Sequence, residues 1–250
     1  MRYKTLTGLR SAISFLTVIP MGSDGISDYA HYYFSIVGIF TGFVAGLVYF
    51  ISDIYLGSLV GSSLALAALL LISGFTHLDG VLDSGDALMA RGSLERRREI
   101  LKDRFLGAGA IGTAMIIYIP TFAFLTLFTP LTGFMVIIMA ETMSKFSMIL
   151  MISGNSTFGD GLAKRFKISL GMRSGLSVLV NLIPILIVTF LMFPWFLIVL
   201  TIAITISYAS SRMLEHVFHG INGDLIGLNA EFSRVLYLAL FSVVLVSLIH

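Results

Sequence analysis

Seven long apolar segments constrain the fold of this 250-residue chain more than any other feature of its sequence. Each segment is long enough to cross the hydrocarbon core of a bilayer, roughly 30 Å, as a single helix. Charged residues make up only 12% of the chain, against about 25% in a typical soluble domain. We therefore predict an all-α polytopic membrane bundle that forms one membrane domain over residues 1–250. The predicted spans are 30–52, 56–76, 107–128, 131–152, 175–193, 195–211 and 233–249.

Smaller features accompany these spans. Residues 3–18 form an amphipathic pattern that is too polar to span a membrane. We interpret it as an N-terminal interfacial helix, the alternative being a helix packed on the bundle. Short amphipathic helices are expected in the connecting loops. Gly38, Gly42 and Gly46 recur every four residues in the first span, which predicts close contact with another helix.

Basic residues are concentrated on one side of the predicted spans. Of the 16 Lys and Arg residues, 15 lie on or next to one set of connections, and Lys145 lies within a span. Cytoplasmic loops carry the excess of basic residues in membrane proteins. We therefore predict a multi-pass protein of the cell membrane, with a cytoplasmic N-terminus and an external C-terminus at His250. The cytoplasmic connections would be 1–29, 77–106, 153–174 and 212–232.

The connection at about residues 77–106 is the most highly charged part of the chain. Twelve of the 30 charged residues lie between Asp79 and Arg104. Asp79, Asp83 and Asp86 are spaced i, i+4, i+7, so they lie within about 60° of one another on one helix face. Carboxylates on one stripe repel each other unless a cation binds among them. Their hard oxygen atoms predict a site for Mg²⁺ or Mn²⁺.

A second helix is predicted over residues 94–105. Glu95, Glu99 and Lys102 would share one face of this helix, with Asp103 beside them. Charge clusters of this kind are more often the solvated faces of a loop. Here glycines beside the aspartates let a backbone or a phosphate approach closely, which favours the functional interpretation. An acidic, metal-binding face next to a basic run is suited to phosphate chemistry.

Polar residues elsewhere suggest further candidates. Glu141 and Lys145 are spaced i, i+4 within the fourth predicted span, where an ion pair is costly and usually faces the bundle interior. This pair either joins helices or leaves Lys145 to bind a substrate phosphate. His77 is a candidate ligand or general base, although a lone histidine is more often a scaffold residue. His216 and His219 are spaced i, i+3 but match no metal-binding motif.

Composition excludes other kinds of function. The net charge of +2 is too small to indicate a nucleic-acid partner. The chain has no cysteine, so disulfides and zinc–thiolate sites are excluded.

Three groups of residues carry a resemblance to a known family. The central group is Asp79-Gly80-x-x-Asp83-Ser84-x-Asp86, followed by Glu95-Arg96-Arg97-x-Glu99-Ile100-x-Lys102-Asp103. The flanking groups are Phe15-Leu16-Thr17-x-Ile19-Pro20 and Gly223-Asp224-x-x-Gly227 with Glu231 following. Together they resemble the motifs of the cobalamin synthase (adenosylcobinamide-GDP ribazoletransferase) family and span most of the chain.

The resemblance implies a function in the late assembly of vitamin B12. The substrates would be adenosylcobinamide-GDP and α-ribazole or its 5′-phosphate, and GMP would be released. The cofactor would be Mg²⁺. The protein would lie in the lipid bilayer, and a homo-oligomer is a further expectation. The candidate metal ligands are Asp79, Asp83 and Asp86. The candidate catalytic residues are Asp79, Asp83, Glu95, Lys102 and Asp103. The candidate substrate-binding residues are His77, Arg96, Lys145 and Asp224.

Other classes of protein share some of these features. A CDP-alcohol-type lipid phosphotransferase also has closely spaced aspartates at a membrane surface, but its Asp-Gly-x-x-Ala-Arg motif does not precede the later carboxylates here. A cation-coupled transporter usually binds its ion near the membrane midplane, whereas these carboxylates lie outside the predicted spans. A non-catalytic membrane scaffold would leave the acidic stripe unexplained.

Overall fold

The computed structural model describes residues 2–22, 26–103, 105–192 and 196–249. These residues form α-helices and two short 3-10 turns, and within these ranges there is no β-strand, which confirms the all-α prediction. The helices are α1 (Arg2–Leu16), α2 (Phe34–Leu56), α3 (Ser58–Ile72), α4 (Thr76–Met89), α5 (Leu94–Ile100), α6 (Ala108–Leu125), α7 (Pro130–Gly154), α8 (Leu162–Leu170), α9 (Ser174–Met192), α10 (Leu197–Phe218) and α11 (Gly223–Ile249). The 3-10 turns are Ala30–Tyr33 and Gly171–Arg173.

Six helical segments in the described part of the chain are long and apolar enough to span a membrane. They contain α2, α6, α7, α9, α10 and α11, so the protein is a multi-pass membrane protein. A seventh span requires α3 and α4 together, and these two helices are bent by 91°. The bend follows from Gly74 and Phe75, which both adopt left-handed backbone angles and so end α3. The predicted span 56–76 is therefore a short helix followed by a sharp turn.

The last two helices begin and end differently from the prediction. The predicted connection 212–232 is mostly helical, because α10 continues to Phe218 and α11 starts at Gly223. The Asn222 side chain accepts a hydrogen bond from the backbone N–H of Leu225 at 3.1 Å, which caps this early start. The acidic residues after Gly223 thus lie on a helix and not in a loop. The ends predicted at residues 193 and 195 lie outside the described residues.

Helix α7 is the most buried of the spanning helices and packs closely against α2. A Cβ atom at Gly38 would lie 2.8 Å from the backbone of Glu141, and one at Gly42 would lie 2.7 Å from Ile138. Side chains larger than hydrogen would push these helices apart. The predicted contact of the glycine stripe is confirmed.

The described core consists of two hydrophobic clusters. One cluster joins α1, α4 and α8 to the adjoining ends of α7, α10 and α11. It includes Ala12 and Leu16 of α1, so this helix packs on the bundle through its C-terminal half, while Leu6 is exposed. The aspartates of α4 lie at this end of the bundle, on the helix that contributes Val81 and Ala87 to this cluster.

Helices α5 and α8 are the short helices expected in the loops, but α5 is shorter than predicted. It ends at Ile100 rather than at residue 105. The Asp103 side chain accepts a hydrogen bond from the backbone N–H of Phe105 at 3.2 Å, a local turn that competes with the helix. Lys102 and Asp103 therefore lie beyond the helix on which they were predicted.

Candidate functional site

Three aspartates project from α4, as predicted. Asp79 is exposed, while Asp83 and Asp86 are half-buried. Burial raises the pKa of the Asp83 carboxyl to about 6, with further contributions from the negative charges of Asp79, Asp224 and Asp86. Ionisation of Asp83 is therefore opposed both by its loss of hydration and by repulsion from the neighbouring carboxylates.

Asp224 completes this group from the start of α11. A Cβ atom at Gly80 would lie 2.7 Å from the carbonyl oxygen of Asp224, so α4 and α11 touch through their backbones here. Asn222 holds the Asp224 carboxylate by donating a hydrogen bond at 2.6 Å. We call the four carboxylates of Asp79, Asp83, Asp86 and Asp224 the acidic face.

Asp86 also has a structural role that its spacing does not indicate. Its carboxylate accepts hydrogen bonds from the backbone N–H groups of Gly107 at 2.6 Å and Ala110 at 2.9 Å. These N–H groups belong to the first turn of α6, where a negative charge is favourable. Asp86 thus caps α6 and fixes that helix against α4.

The donor atoms of the acidic face fit a hard divalent cation, since all are carboxylate oxygens. An added cation would also relieve the repulsion around Asp83. In the arrangement seen here, no three His, Cys, Asp or Glu side chains of the described residues converge closely enough to hold a metal ion.

The candidate residues on and after α5 form a separate group. Ser93 caps this helix, accepting a hydrogen bond from the backbone N–H of Arg96 at 3.3 Å. Arg96 pairs with Glu99 at 3.2 Å, but both side chains are exposed, so the ion pair is weak. Glu95, Lys102 and Asp103 are also exposed. Between described residues, no hydrogen bond or ion pair joins this group to the acidic face.

Glu141 and Lys145 form the predicted ion pair on α7, with Nζ and Oε2 3.4 Å apart. Arg234 of α11 lies closer to the same glutamate, with its Nε 2.5 Å from Oε1, and also pairs with Glu231. Thr41 of α2 donates a hydrogen bond to Glu141 at 2.9 Å. All of these side chains are buried. The pair on α7 is thus part of a larger network that joins three helices.

His77 links α4 to this network. Its Nδ1 lies 3.3 Å from Lys145 Nζ and 3.6 Å from Glu231 Oε1, and its side chain is buried. We call His77, Glu141, Lys145, Glu231 and Arg234 the buried ion cluster. Two of the predicted substrate-binding residues therefore lie within the protein interior.

Sequence reasoning missed the role of Arg234. It placed this residue beside a cytoplasmic loop, whereas the structure buries it between Glu141 and Glu231. The i, i+3 spacing of Glu231 and Arg234 was a signal that could have found it. With Asp224 and Gly227, these residues follow one another at spacings of three and four on α11. One face of this helix therefore leads from the acidic face to the buried ion cluster.

Comparison with known proteins gives consistent matches. The family model described as cobalamin-5-phosphate synthase matches residues 8–242. An adenosylcobinamide-GDP ribazoletransferase of Picrophilus torridus is 32% identical over 237 residues, covering 94% of this chain and 97% of the relative. Proteins of the same name from Thermoplasma volcanium and Sulfolobus acidocaldarius are both 30% identical, covering 96% and 94% of this chain and 91% of each relative. No solved structure matches the chain significantly.

Proposed function

This chain belongs to the cobalamin-5-phosphate synthase family, and we propose that it joins α-ribazole, free or as its 5′-phosphate, to adenosylcobinamide-GDP with release of GMP. It is a ribazoletransferase of the membrane that acts at a late step of cobalamin biosynthesis, with adenosylcobinamide-GDP as substrate. The observation that supports the chemistry is the acidic face, where α4 and α11 bring four carboxylates to one end of the bundle.

The proposed transfer is a displacement at phosphorus. A ribazole hydroxyl oxygen forms a bond to the phosphorus on the cobinamide side of the diphosphate. The bond from that phosphorus to the bridging oxygen breaks, and its electron pair leaves with GMP. Glu95 or Asp103 would accept the proton of the hydroxyl, and both carboxylates are exposed to solvent.

Cations would offset the charge of the reacting phosphates. Lys102 and Arg96 would donate hydrogen bonds to the transferred phosphoryl oxygens, Arg96 after leaving its weak pair with Glu99. Asp79 and Asp83, with Asp86 or Asp224, would hold Mg²⁺ once their side chains turn closer together than they lie in this structure. When bound, this ion would neutralise negative charge on the diphosphate and on the leaving GMP.

Charge balance within the bundle argues against the transporter alternative. The buried ion cluster contains two acidic residues, Glu141 and Glu231, and two basic ones, Lys145 and Arg234. With neutral His77 the cluster carries no net charge, so it offers no spare carboxylate to a coupling cation at that depth.

The function can be tested with the purified protein in liposomes. We expect GMP release from adenosylcobinamide-GDP only when α-ribazole or its 5′-phosphate and Mg²⁺ are present together. Parallel assays with the two ribazole forms would identify the preferred acceptor. Release of CMP from a CDP-alcohol lipid, without GMP release, would instead support the lipid phosphotransferase alternative.

We also propose that the acidic face lies on the cytoplasmic side of the cell membrane, from the distribution of basic residues. The chain has no cysteine, so single cysteines can be placed at Ser93, Ser156 and His250. A membrane-impermeant thiol reagent applied to intact cells should label only the last of these, which lies outside the described residues. Labelling at position 93 without permeabilisation would contradict the orientation. A homo-oligomer stays a prediction.

A further inference from the structure

Helix α5 carries the candidate catalytic residue Glu95 and the candidate substrate-binding residue Arg96, but it has little apolar packing. None of the residues Leu94–Ile100 is buried. Ile100 at the end of the helix is partly buried against the core, and Leu101, which follows it, is buried. A short exposed helix does not keep a fixed position by its own propensity. Ile100 and Leu101 anchor only its C-terminal end, so the position of the rest of α5 depends on specific contacts with the bundle.

Arg98 makes the most extensive of these contacts. Its Nε and Nη2 atoms donate hydrogen bonds to the carbonyl oxygen of Phe218, at 3.1 and 2.7 Å. The Nη2 atom also donates to the carbonyl oxygen of His219 at 2.9 Å. These carbonyls end α10, where backbone acceptors have no helical partner and where a positive charge is favourable.

Phe158 provides a second surface for the same side chain. The guanidinium carbon of Arg98 lies 4.3 Å from the centre of the Phe158 ring, a cation–π contact. Phe158 is itself fixed, because its backbone N–H donates to the carbonyl oxygen of Ile221 at 3.1 Å. Arg98 is therefore held between the C-terminal end of α10 and Phe158 of the α7–α8 connection, which is itself hydrogen-bonded to the turn that leads to α11.

That turn also leads directly to the acidic face. Asn222 lies one residue after Ile221 and holds the Asp224 carboxylate. The same turn thus contacts Arg98 at one end and orients Asp224 at the other. Arg98 joins the helix that carries Glu95 to the segment that carries Asp224.

We propose that Arg98 is a positioning residue for the transfer reaction, which holds α5 at a fixed place relative to the acidic face. This inference rests on the proposed function for its effect on catalysis. The planar guanidinium is needed because it bonds two carbonyl groups and stacks on a ring at once, whereas a lysine ammonium is a single point charge. Loss of the contact would leave the metal ligands on α4 in place and misplace the groups on α5.

The test compares Arg98→Gln and Arg98→Lys with Arg91→Gln, which removes an exposed arginine from the same connection. Amide hydrogen exchange of residues 94–101, measured on the full-length protein without substrates, should rise on the order of tenfold in Arg98→Gln. Arg98→Lys should show a smaller rise, and Arg91→Gln should exchange like wild type. Unchanged exchange in Arg98→Gln would overturn the proposed contact whether or not the protein is a ribazoletransferase.

Kinetics then separate positioning from a merely structural role. For GMP release, kcat of Arg98→Gln should fall on the order of tenfold, because small displacements of catalytic groups are costly. Its KM for adenosylcobinamide-GDP should change less than kcat, and the stabilisation of the protein by Mg²⁺ should stay near the wild-type value. Faster exchange with wild-type kcat would show that Arg98 holds α5 without positioning catalytic groups, and would overturn the proposal. If the wild type releases no GMP, the proposed function fails and the exchange result still stands.

Discussion

The acidic face and the buried ion cluster share α4 and α11, but only the cluster balances its charges with ion pairs. Within the cluster, each glutamate has a basic partner, and Arg234 pairs with both Glu141 and Glu231. On the acidic face, no ion pair to any described residue compensates the four carboxylates, and the neighbours that raise the pKa of Asp83 are themselves acidic. A membrane protein can hold buried charges at modest cost only when they are compensated.

This difference indicates that charged residues have two roles in this protein, one in structure and one in ligand binding. A neutral, hydrogen-bonded network joins helices and needs no ligand. An uncompensated group of carboxylates lowers stability by itself and becomes favourable only when a cation binds. We therefore expect substitutions in the cluster to affect folding first. Substitutions on the acidic face should affect catalysis first, except at Asp86, which also caps α6.

The largest effect is expected from breaking the buried ion cluster at its centre. Arg234→Met would leave Glu141 and Glu231 without their strongest partner, which should lower the free energy of unfolding by about 3–5 kcal/mol. Thermal unfolding in detergent would measure this loss. Lys164→Met is the control, because its pair with Asp160 is exposed and should contribute less than about 1 kcal/mol. Equal losses in the two variants would contradict the distinction between buried and exposed pairs.

The second effect should appear in catalysis and not in folding. Asp83→Asn keeps the side-chain shape but removes a charge and weakens an oxygen ligand, so GMP release should slow on the order of 10²–10³-fold. The membrane fold should stay intact, as judged by gel filtration. Asp53→Asn, on α2 away from the acidic face, is the matched control and should turn over normally. A wild-type rate with the same Mg²⁺ dependence in Asp83→Asn would show that the acidic face is not the metal site.

A third test asks whether Lys145 has a role beyond its ion pair. Lys145→Met should destabilise the protein, and the double change Glu141→Gln with Lys145→Met should recover about 1–2 kcal/mol of that loss. Unfolding of both variants measures this coupling. If the double variant also regains turnover, Lys145 does not bind substrate. A folded but inactive double variant would support the predicted substrate contact.

The smallest effect concerns the stability of the protein without metal. Since the pKa of Asp83 is raised to about 6, its ionised form opposes folding. This cost is absent below the unfolded-state pKa of about 4, grows as the pH rises, and is complete above about 6. Asp83→Asn should therefore be more stable than wild type by about 1 kcal/mol at pH 7.5, after allowance for solvent screening, and equally stable near pH 4. Greater stability of the wild type at pH 7.5 without Mg²⁺ would contradict like-charge repulsion on the acidic face.

Local patterns in the sequence were sufficient to predict the fold class of this protein and several of its residue clusters. Hydropathy predicts the all-α membrane bundle, because each spanning helix must satisfy its own backbone hydrogen bonds in lipid. The helical period places Asp79, Asp83 and Asp86 on one stripe and Glu141 beside Lys145. The glycine stripe of the first span predicts its close packing. Each of these features depends on residues within a few turns of one another.

Only the tertiary structure brings in partners from distant parts of the chain. Arg234 reaches Glu141 from a helix 93 residues later, and Arg98 reaches the end of α10 from 120 residues earlier. The bend after Gly74 and the early start of α11 decide that Asp224 lies beside α4. A single sequence shows that a charged residue within a span needs a partner of opposite charge. It does not show which residue is that partner, because helix packing, and not local spacing, brings the two together.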